Sequence, residues 1–93
     1  MFQRILKQLR DKVRSRQYVM TLHAEEEMSD DELTIFDVER GVLTGEIVER
    51  QKDVQTGEWK YLGRGHTVTG DDIVVVGKIG LTGKLVIITV YRL

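Results

Sequence analysis

The chain has 93 residues, 41% hydrophobic and 31% charged, the length of one ordinary domain and the composition of a folded one, which excludes a second independent core and a disordered chain. It has no cysteine, which removes disulfides, thiolate metal sites and a cysteine nucleophile and fits a reducing compartment, so a cytoplasmic location is expected. The opening MFQRILKQLRDKVRSR is too charged for a secretory signal, and no stretch approaches the roughly 18 apolar residues of a membrane span. One domain over 1–93 with no membrane segment is the expectation.

The net charge of −1 conceals a strong asymmetry. Residues 1–16 carry six bases and one acid, residues 17–40 one base and eight acids, and residues 41–93 seven bases and six acids. A dedicated nucleic-acid binder usually has a net basic balance, whereas adjacent segments of opposite charge can orient a protein partner or a second copy of the chain. A salt-sensitive homodimer is expected on this ground.

In chain order, Phe2, Ile5, Leu6, Leu9 and Val13 recur at spacings of three and four, which predicts an amphipathic basic helix over 1–16. Its basic side reads as a solvated face or as a surface for a phosphate or a partner. Tyr18, Val19 and Met20 read as a short extended or linking stretch. A helical pair is predicted over 21–45: Thr21 caps a helix through His23, Ala24 and Met28, and Thr34 with Asp37 forms a capping box for the next. Gly45 ends that helix as a left-handed cap. From 46 to 92 the period switches to two. Glu46 to Lys52 and Glu58 to Gly65 predict a hairpin, Ile73 to Ile79 a β-branched strand, and Leu85 to Tyr91 the most apolar strand, the centre of the sheet. The predicted fold is α+β, with N-terminal helices packed on one face of a four-stranded antiparallel meander. In the last strand Val86, Ile88 and Val90 are expected to face the helices, with Leu85, Ile87, Thr89 and Tyr91 on the other side.

The pair His23-Ala24 opening a helix, with Met28 downstream, Leu33-Thr34, Asp37-Val38, the passage Gly45-Glu46-Ile47-Val48 and the closing Ile88-Thr89-Val90-Tyr91-Arg92 together resemble the small bacterial domain-of-unknown-function family 4258, from about Tyr18 to Arg92. The resemblance implies a fold similar to the RelE-like and barnase-like ribonucleases, many of them toxins of toxin-antitoxin pairs, and hence an antitoxin-like protein partner. The chain departs from the family at Glu27 and Asp31, where members often carry arginines. Two positive charges are exchanged for negative ones that oppose an RNA backbone.

Metal-independent RNA cleavage needs an acid and a base for the 2′-hydroxyl and the leaving 5′-oxygen, and cations for the phosphate. His23 suits acid-base work because its ordinary pKa lies near neutrality, and equally suits orienting its helix by a hydrogen bond. Thr89 and Tyr91 share one strand face, where the Tyr91 hydroxyl can orient a phosphate and the ring equally reads as an ordinary amphipathic residue at a strand end, and Arg92 is the fourth catalytic candidate. Arg64 and Lys78 are the candidate substrate-binding cations, each also readable as a solvated head on a buried stem. His23 and His66 lack a second ligand at metal-binding spacing, so neither a metal site nor a cofactor is expected. Gly63-Arg64-Gly65 precedes no helix and reads as a twist or bulge rather than a phosphate loop. Trp59 and Tyr61 share a strand face and read as packing residues before a base-stacking platform. Two functions remain: a metal-independent endoribonuclease, and a non-catalytic interaction or assembly module in which the basic first helix meets the acidic 25–32 stretch of a second copy.

Overall fold

The amphipathic stripe of the N-terminus winds into α1 (Gln3–Arg14) and buries Leu6, Leu9 and Val13, while Lys12 and Arg14 occupy its last turn, where cations favour the helix dipole. The computed structural model describes residues 1–93. Arg16, with φ of 56°, turns the chain out of the helix in a left-handed conformation and leads into β1 (Tyr18–Met20). Thr21 then caps α2 (Leu22–Asp30) by accepting from the Ala24 N–H. The capping box of α3 (Ile35–Thr44) is complete, the Thr34 N–H donating to Asp37 and the Asp37 N–H to the Thr34 hydroxyl.

Four strands follow: β2 (Glu46–Lys52), β3 (Trp59–His66), β4 (Asp72–Ile79) and β5 (Leu85–Arg92). They pair antiparallel in turn, but the sheet has five strands in the order β1-β5-β4-β3-β2. The expectation of four antiparallel strands is therefore corrected: β1 lies parallel to β5, with Tyr18, Val19 and Met20 beside Leu85, Val86 and Ile87. Three residues between two helices show no alternation, and their partner lies at the far end of the chain, so no local pattern announces the strand.

All three helices pack on one face of the sheet. Leu9 and Val13 of α1, Ala24 of α2 and Val38 of α3 meet Ile73, Val75, Leu85, Ile87 and Val90 in one apolar cluster. No helix is long and apolar enough to cross a membrane.

The expected register of β5 is half right. Val90 is buried against the helices and Thr89 and Tyr91 lie on the other face, but the buried residues before them are Leu85 and Ile87, while Val86 and Ile88 stand outside the cluster. Val76 pairs with Thr89 and Gly77 with Ile87, so Ile88 is the extra residue of a β-bulge that shifts the alternation by one. The glycines of β3 also have a different use from the expected twist. A Cβ on Gly65 would stand 2.1 Å from the Gly41 carbonyl oxygen, and one on Gly45 would stand 2.5 Å from the same atom. These residues let the end of α3 lie directly on β3. Gly45 itself is extended, with φ of −86°, so close approach and not a left-handed cap requires glycine there.

Candidate functional site

The six candidate residues fall into two groups on opposite sides of the sheet. Helix α2 turns Ala24 fully into the core, which swings His23 outward to 66% side-chain exposure. Its Nε2 lies 3.2 Å from Glu27 Oε1, one helical turn on. Arg92 belongs to the same side, since it alternates with Tyr91 beyond Val90.

The other face of the sheet carries no helix. Register sets Arg64, Val74 and Tyr91 in one row across three strands, and Leu62, Val76 and Thr89 in the next. Tyr91 is 36% exposed, and Val74 between it and Arg64 is only 3% exposed although no helix covers it. Lys78 lies on this face beside Val86, two residues from Val76 along β4. Thr89, Tyr91, Arg64 and Lys78 thus share one open surface, and His23 and Arg92 do not join them.

Carboxylates of the same chain engage each of the cations. Arg64 Nη2 donates to Asp72 at 2.9 Å, with His66 Nε2 at 3.5 Å from the other oxygen of that carboxylate. Lys78 Nζ lies 3.5 Å from Glu58. Arg92 donates from Nη1 to Asp71 at 2.6 Å and from Nη2 to the carbonyl of Asp31 at 3.3 Å. Neither the apolar cavity of about 30 Å³ under α1 and α3 nor the shallow polar hollow on the outer side of α1 is lined by any of the six.

Glu27 and Asp31 have a structural role that sequence reasoning did not find. Beyond Ile87, β5 has no neighbouring strand on the side of β1. There α2 replaces one: the Thr21 hydroxyl donates to the Ile88 carbonyl at 3.1 Å, Glu27 accepts from the Val90 N–H at 3.3 Å, and Asp31 accepts from the Arg92 N–H at 2.8 Å. Two carboxylates four residues apart on a helix meet two N–H groups two residues apart on a strand. Unpaired backbone at a sheet edge is costly when partly buried and invites other strands when exposed. The i, i+4 spacing of the two acids was visible in the sequence, but their partners lie more than sixty residues away.

Two further groups are tuned by their surroundings. The Tyr18 hydroxyl donates to Glu39 at 2.5 Å, and burial, with the hydrogen bond and charge of Glu39, pushes its pKa up to about 12. The Thr34 N–H, with that of Val68, holds the Asp37 carboxyl below its ordinary value and ties the start of α3 to the turn between β3 and β4.

No curated protein and no solved structure matches the chain. The family described as Domain of unknown function (DUF4258) matches residues 20–92, a span that starts within β1 and takes in His23-Ala24, both carboxylates at the edge of β5 and the closing strand. The match covers most of the chain, which belongs to that family.

Proposed function

We propose that this domain is a non-catalytic protein-binding module. The observation that carries the reading is the neutralisation of its candidate cations: Arg64 by Asp72, Lys78 by Glu58 and Arg92 by Asp71, with His23 held at Glu27. A phosphate clamp needs uncommitted donors converging on one point. Here each donor already has an anion, and His23 and Arg92 stand on the opposite side of the sheet from Tyr91 and Thr89. The natural partner is another protein, either a cognate antitoxin-like chain or a second copy.

The ribonuclease reading, and with it membership of the RelE-like fold group, draws support from one observation, the row that joins Arg64 and Tyr91 across an uncovered face with Thr89 in the next row. On that reading Arg64 and Lys78 hold the backbone, Tyr91 and Thr89 orient the phosphate, and His23 and Arg92 act only after a rearrangement of α2. One experiment separates the two. Purified protein is incubated with single-stranded RNA at low salt, without divalent metal, where electrostatic attraction is greatest. The binding-module reading expects neither cleavage nor retention of RNA. Products ending in 2′,3′-cyclic phosphate, made slower by about 10²-fold in His23→Ala or Tyr91→Phe, overturn it.

A further inference from the structure

The two edges of the sheet are finished in different ways. On one side β5 is covered by β1 and then by Thr21, Glu27 and Asp31. On the other, β2 has seven residues, all exposed except the half-buried Ile47, and its backbone bonds only to β3. After the irregularity between Ile47 and Glu49, the stretch Glu49 to Lys52 pairs without interruption with Leu62 to Trp59, which leaves a regular edge for another strand.

The side chains along that edge are sorted by charge. Arg50 and Lys52 project on the side of the helix layer, where the Arg50 guanidinium lies 4.2 Å and the Lys52 ammonium 5.6 Å from the centre of the Trp59 ring. Trp59 is 39% exposed. Neither cation has a carboxylate partner, in contrast to Arg64, Lys78 and Arg92. A strand laid against β2 sets alternate side chains beside Arg50 and Lys52.

We propose that β2 is the docking edge of the module, at which an extended acidic segment of a partner protein adds to the sheet as a sixth strand. This rests on the protein-binding reading and specifies its partner. Main-chain hydrogen bonds supply the attachment, and carboxylates at alternate positions meet Arg50 and Lys52 over the Trp59 ring. A second copy is a poor occupant, because antiparallel pairing of β2 with its own twin puts both Arg50-Lys52 pairs on the same face of the joint sheet, where like charges repel.

Trp59 is the only tryptophan, so its emission reports the event directly. The probe is a short synthetic peptide alternating glutamate with valine, titrated into the full chain while emission and the hydrogen exchange of the β2 amides are followed. The expected result is a saturable change in emission with slowed exchange at the edge, absent for the same peptide with lysine in place of glutamate and for an N-methylated form that keeps the charges but cannot pair. The Arg50→Glu, Lys52→Glu double variant binds the glutamate peptide about tenfold more weakly, as expected for two exposed charge pairs, and accepts the lysine peptide. Equal binding of the N-methylated peptide, or no change with the glutamate peptide, overturns strand addition. RNA cleavage in the earlier assay instead overturns the binding-module reading and leaves the peptide result standing on its own.

Discussion

Replacing Asp31 by alanine separates two physical effects that have opposite signs. Asp31 is the C-cap of α2, a helix with no basic residue in its last turn. A negative charge there opposes the helix dipole, so its removal alone stabilises by about 0.3–1 kcal/mol. The same carboxylate accepts the partly buried Arg92 N–H at 2.8 Å, and loss of a charge-assisted bond to such a group costs about 1.5–3 kcal/mol. The net expectation for Asp31→Ala is a loss of about 1.5 kcal/mol, which in a domain of this size lowers Tm by roughly 6–12 °C. Asp31→Asn keeps an acceptor and sheds the charge, and is expected within about 0.5 kcal/mol of the parent. Thermal unfolding followed by circular dichroism measures all three proteins. An alanine variant that melts at or above the parent temperature refutes the role given to α2 at the edge of β5, because the dipole term would then stand alone.

Gly65→Ala drives a methyl group to 2.1 Å from the Gly41 carbonyl and is expected to cost about 3 kcal/mol or more through backbone displacement, read from the denaturant midpoint; a loss under about 1 kcal/mol contradicts the close seating of α3 on β3. Tyr18 gives a pH dependence of defined sign: with its folded pKa raised from 10.0 to about 12, its contribution is complete below pH 10 and is lost as pH rises toward 12. Because the ring is partly exposed the loss is on the order of 1 kcal/mol, and Tyr18→Phe should narrow the stability difference between neutral pH and about pH 11 in urea titrations. Three bases of α1, Arg4, Lys7 and Arg14, and the acids Glu25, Glu26, Asp30 and Glu32 remain exposed. Self-association at low salt that weakens at high salt is therefore expected in sedimentation, since such pairs are screened over about 8 Å at physiological ionic strength; a monomer at every salt concentration excludes it.

What the sequence made legible was what depends on neighbours along the chain. The spacing of Leu6, Leu9 and Val13 encodes the buried side of α1, and Thr34 with Asp37 encodes the start of α3, because both signals are complete within four residues. The hairpins of the sheet are likewise written in their turns. The bulge in β5 was hidden because Val86-Ile87-Ile88-Thr89-Val90 is apolar on both faces, so a shift of one residue leaves no mark in the pattern. Strand β1 and the carboxylates of α2 were hidden for a different reason. Tyr18 pairs beside Leu85 and Asp31 bonds to Arg92, and residues whose purpose is met only by a distant segment carry no local signature. Of the candidate site, the sharing of a face by Thr89 and Tyr91 was readable from alternation near the strand end, but the carboxylates that engage Arg64, Lys78 and Arg92 were not.

The order β1-β5-β4-β3-β2 has a consequence for how the molecule is made. The strand synthesised last is inserted between its neighbours β1 and β4, and it also supplies the floor on which α2 rests. While a ribosome is still extending the chain, β1 has no partner, Ala24 lacks the strand beneath α2, and Val75 of β4 lacks one side of its ladder. The hairpins of β2, β3 and β4 can form early with α3 seated on β3, but α2 cannot dock until Leu85 to Arg92 has emerged. A late step therefore joins β1 and α2 to the rest of the sheet. Long-range closure of this kind is slow compared with local helix formation and leaves apolar strands uncovered in the interval.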